Sequence, residues 1–203
     1  MNTARIVALC ILLPLAAASL AARARADDDA GANKALATDL FDRGVRKMRA
    51  GSCERSPVGD RAACEEARDA FRRSFELYPA GLGALRNLAN VEANLGLVAS
   101  AARAFRELAR RAPHDPDPAR KMWAEFARQS AEQLAARVPH LQIDIIADHP
   151  ASLTLDDAEL PAAAWATPIE LDPGPHMVRA EAPDRTPFEA SFCLLYTSPS
   201  PRD

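Results

Sequence analysis

The chain has 203 residues and a formal net charge of −3, a length that allows one or two domains. Its 22 Arg and 3 Lys are interspersed with acidic residues, which excludes a nucleic-acid surface, and the arginine excess reflects coding bias more readily than phosphate binding. Residues 34–138 carry 19 basic against 14 acidic side chains, whereas residues 139–192 carry 2 against 10, a split that supports two domains in contact with one another.

Residues 1–26 read as a secretory signal peptide. Arg5 begins it, the apolar run Ile6–Ala22 follows, and the small residues Ala24 and Ala26 suit cleavage before Asp27. The alternative is a retained anchor, but the run is broken by Pro14 and is about as long as the shortest spanning helix. Cys10 sits too early in the run for a lipidated cleavage-site cysteine. Residues 27–33 form a flexible acidic start; Asp27-Asp28-Asp29 lacks the glycine and downstream glutamate of a calcium loop.

From Lys34 to Ala50, Leu36, Leu40, Phe41, Val45 and Met48 fall at helical spacing, and Gly51 ends the run. The segment 52–63, with Pro57 and Gly59, reads as a loop. Helices are expected over Glu65–Leu77, Leu82–Leu95 and Val98–Arg111. Ala67, Phe71 and Pro79 return as Ala101, Phe105 and Pro113, each displaced by 34 residues. Self-similarity at this period indicates a helical solenoid, whose helix pairs are stabilised by stacking and leave a concave surface for another chain. After the turn His114–Pro118, a longer helix over Ala119–Val138 is expected to cap the stack, burying Met122, Trp123, Phe126, Ala127, Ala131, Leu134 and Val138. Cys53 and Cys64 are an even pair in an exported chain, so a disulfide is the default reading. Two cysteines without nearby histidines do not make a zinc site.

After Pro139 the apolar period becomes two: Leu141, Ile143 and Ile145, then Leu153 and Leu155, then the stretch Met177–Ala182, with turns at Asp156-Asp157 and Asp172–Gly174. Short strands so spaced indicate a small antiparallel sandwich, incomplete over 139–192. Residues 193–203, CLLYTSPSPRD, resemble the translation of a transposon-end sequencing adapter, with a natural Ser/Pro-rich tail as the alternative. On the first reading they are a non-native tail and the natural chain is interrupted near Phe192. The fold class expected is α+β multidomain: two helix pairs plus a capping helix, then a partial antiparallel β-sandwich.

Leu88, Ala89, Gly96, Ala101, Phe105 and Pro113 resemble the signature positions of tetratricopeptide (TPR) repeats, departing at Leu85 and Glu92 where that family carries aromatics. The first copy keeps Gly44, Gly51, Ala67, Phe71 and Pro79, with an insert at 52–63 bracketed by the two cysteines. HPASLTLDD (149–157), ATPIELDPGPHMVRAEAP (166–183) and TPFEASF (186–192) resemble PEGA-type surface modules, departing at Ala158, where glycine is usual. The order of parts is similar to exported proteins of myxobacteria and their relatives. The resemblance implies a periplasmic or secreted protein of the cell envelope.

The TPR resemblance implies that the stripe Arg86, Asn90 and Asn94, flanked by Asn87, lines the concave groove. A guanidinium binds a carboxylate in bidentate fashion and amides both donate and accept, so this row suits a peptide. The alternative is an ordinary solvated helix face. The matching stripe of the first pair is Phe41, Val45, Met48 and Arg49, for which core packing against the second pair is the alternative. Trp165 reads as a buried sandwich tryptophan or an exposed contact. His114, His140, His149 and His176 sit at turns and strand ends and read as solvated. No nucleophile elbow, phosphate-cradling loop or HExxH helix is present. The expectation is a non-enzymatic adaptor without cofactor or metal that binds a protein or peptide and no nucleic acid. It would meet the membrane only through its signal or a further C-terminal segment. A cell-wall or polysaccharide-binding module with the helices as a spacer is the rival reading.

Overall fold

The computed structural model describes residues 13–143, 152–165 and 167–195, with side chains from residue 29 onward. It is an α+β chain: successive helices packed side by side, followed by two small antiparallel sheets. Helix α1 spans Leu13–Ala50. The stretch 27–33, expected as a flexible start, therefore lies inside a helix; between Leu15 and Ala50 no proline interrupts the backbone hydrogen bonding. Among the described residues no helix is long and apolar enough to cross a membrane.

Ser52 takes the left-handed conformation at the end of α1 (φ 52°), with its N–H on the Arg49 carbonyl and the Cys53 N–H on that of Met48. Helix α2 (Arg61–Leu77) begins earlier than the apolar pattern suggests, because the Asp60 carboxylate accepts the Ala63 N–H at 3.2 Å and nucleates an extra turn. The insert between α1 and α2 is closed by a Cys53–Cys64 disulfide, with Cα atoms 5.5 Å apart. Both cysteines are fully buried with Phe71, Val91 and Leu95, so the cross-link is a core element rather than a surface staple.

Helices α3 (Leu82–Leu95) and α4 (Val98–Arg111) have the boundaries read from the sequence. Gly96, at φ +84°, supplies the left-handed residue between them, and the Leu97 N–H closes on the Glu92 carbonyl. The expected helix over Ala119–Val138 is instead two pieces, α5 (Pro118–Lys121) and α6 (Trp123–Ala135), parted at Met122. Ala127, Ala131, Leu134 and Val138 form the row turned onto α4, at the four-and-three spacing of one helix face. Met122 and Phe126 lie one residue to the side of that row. They are 79% and 48% exposed, which corrects their assignment to the core. Phe126 still meets Phe105 edge-on, with centroids 5.8 Å apart.

Helices adjacent in sequence pack on one another, α1 on α2, α2 on α3 and α3 on α4, and α6 packs on α4 across the short α5. Two apolar clusters result. One joins α1, α2, α3 and the disulfide around Phe71; the other joins α3, α4 and α6 around Leu108.

In the C-terminal part, β1 (His140–Leu141) pairs antiparallel with β4 (Ile169–Glu170). The second sheet has the order β3–β2–β5–β6, from β2 (Ser152–Leu155), β3 (Ala158–Glu159), β5 (Gly174–Glu181) and β6 (Phe188–Leu194). Asp156 and Asp157, both at positive φ (50° and 64°), make the two-residue hairpin turn between β2 and β3. Leu153, Leu155 and Val178 are buried beneath Leu141, Ile169 and Phe192, so residues from both sheets share one small core. Ile145 and residues 149–151, placed in strand-like pieces by the sequence, lie outside the described residues. Cys193 and Leu194 pair with Pro175 and Gly174 as the last rungs of β6.

Candidate functional site

Two different helices of the stack, α1 and α3, carry the side chains that the sequence assigns to a groove. On α3 the backbone spacing puts Arg86, Asn90 and Asn94 in one row, and the structure then divides that row by what each member meets. The Arg86 guanidinium lies over the Trp123 ring, 4.7 Å from its centroid. The Arg86 Nε is buried without a hydrogen-bond partner among the described residues. A cation over an aromatic face is attracted by the ring quadrupole, but that contact leaves the N–H donors unsatisfied. Asn94 is already engaged: its Nδ2 donates to the Cys53 carbonyl at 2.9 Å, tying α3 to the disulfide-closed insert. Asn87 and Asn90 make no side-chain hydrogen bond among the described residues and are half-buried.

The first-pair stripe splits differently. Phe41, Val45 and Met48 pack against the Phe71 cluster, with Phe41 and Phe71 ring centroids 5.7 Å apart. Core packing therefore claims Val45 and most of Phe41, as the alternative reading held, because α2 and α3 close over that face of α1. Arg49 is exposed at the end of α1. Phe41 keeps one edge in a cavity of about 230 Å³ between α1, α3 and α5, lined also by Thr38, Tyr78, Gly83 and Arg120. This is below the ~300 Å³ of ordinary small-molecule sites and matches one anchored side chain. Of its lining residues, Tyr78 carries Lys34 over its ring at 5.5 Å, and Arg120 is paired with Asp117 at 3.5 Å and the buried Asp115 at 3.6 Å.

A larger cavity, about 450 Å³, opens where the α2–α3 turn meets the end of α4, and the sequence reading did not anticipate it. Pro79, Leu82, Arg110, Arg111 and His114 line it. Its cations are already spoken for. Glu107 binds Arg110 through both oxygens (2.7 and 2.9 Å) and also pairs with Arg111, while Arg111 donates to the Pro79 carbonyl at 3.1 Å. The Arg110 hydrogen bonds, with help from Arg111 and against slight burial, hold the Glu107 carboxyl down at about 2. A pocket whose charges are internally neutralised is a weaker site than one with an orphaned donor.

Two further carboxylates were missed. Glu92 is 3% exposed; burial pushes its carboxyl up, against the opposing pull of Arg72 at 3.0 Å. Asp172 crosses from the loop after β4 to the start of α4. Its Oδ1 accepts the Ala99 and Ser100 N–H groups at 2.7 and 3.0 Å, and its Oδ2 accepts the Ser100 hydroxyl at 2.5 Å. Leu97, the residue before α4, offers no side-chain cap. A helix start without Ser, Thr, Asp or Asn was the available signal that the cap comes from elsewhere. Beside it, Arg106 pairs with Glu170 at 2.5 Å and Arg103 donates to the Glu170 carbonyl. The basic helical part and the acidic sheet part thus meet, as their charge split suggested. His176, read from sequence as a solvated turn residue, is instead largely buried against Asp156 and the Asp172 carbonyl. Trp165 packs on the small core and donates its indole N–H to the Leu160 carbonyl at 2.9 Å.

Among the described residues no three His, Cys, Asp or Glu side chains converge as a metal site would require. The class that fold and site define is an α+β chain of packed helices followed by two small antiparallel sheets. Compared with known protein families, curated proteins and solved structures, the chain has no significant match.

Proposed function

We propose that this chain is a non-enzymatic, exported adaptor of the bacterial cell envelope. In this reading the helices form a short TPR-like array that grips a peptide or protein segment in its concave groove. The PEGA-like sheet module positions that array. The observation that carries the reading is Arg86: a guanidinium stacked on Trp123 with a buried, unpartnered Nε, beside the open amides of Asn87 and Asn90. An orphaned buried donor is costly unless something accepts from it, and a peptide carbonyl or carboxylate would do so. The neighbouring cavity at Phe41, Thr38 and Arg120 would take one apolar side chain of the same segment. The Cys53–Cys64 disulfide supports an oxidising compartment.

Selection of a displayed random-peptide library on the full chain tests the reading. Enriched peptides should bind the parent and lose at least tenfold in affinity to Arg86→Glu combined with Asn90→Ala, with the helical signal retained. Equal binding by the double variant rejects the groove. If the library yields no binder while the parent and the double variant are both retained on purified cell wall, the polysaccharide-binding reading replaces it.

A further inference from the structure

The sheet module touches the helices through the segment 170–172, and one histidine braces that segment from behind. His176 Nδ1 lies 2.7 Å from the Asp156 carboxylate and its Nε2 lies 2.7 Å from the Asp172 carbonyl. A neutral imidazole has one N–H and one lone pair. Either neutral tautomer would therefore aim a lone pair at an oxygen, and only the imidazolium donates to both. The ionisable groups acting on the ring are Asp156, from the β2–β3 turn, and Asp172, from its own loop; β6 contributes the uncharged Phe192 ring, stacked at 5.6 Å. Asp156 is in turn held by the Met177 N–H at 3.0 Å.

We propose that His176 is a pH-dependent latch: as imidazolium it clamps the Asp172 loop so that the Asp172 carboxylate stays on the α4 N-terminus, and its deprotonation undocks the sheet module from the helices. The polar contacts that Arg106 and Arg103 make to Glu170 across this boundary involve exposed arginines, and exposed pairs of this kind contribute little. The Asp172 carboxylate, by contrast, satisfies two helix-end donors that nothing else caps. The inference stands apart from what the groove binds.

Burial disfavours the charged ring, but Asp156 and the Asp172 carbonyl together outweigh it and raise the His176 pKa above the ordinary histidine value of about 6.5. Docking that holds a raised histidine is fully favoured below that ordinary value and is lost as pH rises through the raised one. The opening constant should climb by up to about tenfold per pH unit across that interval and level off above it.

Hydrogen exchange at the Ala99 and Ser100 amides, corrected for intrinsic rate, reads the latch in the full chain. Protection at both should fall with rising pH in the parent. In His176→Gln it should be lower and flat with pH, because glutamine cannot donate from two opposed positions. Asp172→Asn should lose protection at every pH. Ring nitrogen shifts of His176 in the unaltered protein should report a doubly protonated imidazole that persists above the pH at which an ordinary histidine loses its proton. A flat profile in the parent, a persisting slope in His176→Gln, or a ring that loses its proton at or below the ordinary histidine value would each overturn the latch.

Discussion

Gly44 offers the sharpest test of how α1 meets α2. A methyl placed on it would lie 2.7, 2.8 and 3.0 Å from three carbons of the Phe71 ring. That ring cannot retreat, since Phe71 is fully buried and backed by Phe41. In an open helix, glycine to alanine gains about 1 kcal/mol. Forcing a methyl into a packed aromatic costs about 1–3 kcal/mol, and contact with three ring atoms argues for the upper end. The net expectation for Gly44→Ala is a loss of roughly 2 kcal/mol, equivalent to a fall in Tm of roughly 4–8 °C for a chain of this size. Gly31, on the same helix with nothing within 4 Å of a built methyl, is the control. Gly31→Ala should be neutral or stabilising by at most about 1 kcal/mol. Urea unfolding followed by circular dichroism separates the two. Adding Phe71→Leu to Gly44→Ala should recover about 1 kcal/mol relative to additivity. If Gly44→Ala stabilises the protein as Gly31→Ala does, the close approach of the two helices is wrong.

Removing the disulfide with the Cys53→Ala, Cys64→Ala pair should cost about 3 kcal/mol by loop-closure entropy, read by denaturant unfolding; two free thiols in the non-reduced parent would contradict the pairing itself. Arg72→Leu strips Glu92 of its partner and should destabilise by roughly 2 kcal/mol, less than a fully buried pair because Arg72 is half-exposed. Its loss should grow as pH rises, since an unpaired buried carboxyl favours protonation, and adding Glu92→Leu should restore most of the stability. The Glu107 carboxyl should titrate near pH 2 by NMR, and its depressed value contributes stability above the ordinary glutamate range that disappears as pH falls toward that midpoint; a midpoint near 4 would mean that the Arg110 and Arg111 contacts are not held in solution.

Local chemistry made much of the helical part legible. Gly96 marks the α3–α4 turn because it occupies the left-handed conformation, and Asp156-Asp157 marks a hairpin because aspartate tolerates that conformation in tight turns. The spacing of Arg86, Asn90 and Asn94 places them on one face of α3. What spacing could not convey is which partner claims each residue. Asn94 is taken by the Cys53 carbonyl only because the insert folds back over α3. Phe41 and Val45 can be read as groove or as core until the path of α2 is known. The break at Met122 has no strong local signal, since neither glycine nor proline stands there. The roles of His176 and Asp172 have no local signature, because His176 answers to Asp156 on another turn and Asp172 to the start of α4, as many as 73 residues away.

That last span bears on how the chain assembles. As residues emerge from the N-terminus onward, α4 can form before the residue that caps it exists. Its first amides must wait for a loop more than seventy residues downstream. The helical array is therefore not a unit that can be cut out or grafted without loss. A fragment ending at residue 138 would leave the start of α4 frayed, and its missing stability would reside in a strand-bearing segment that shares none of its repeat.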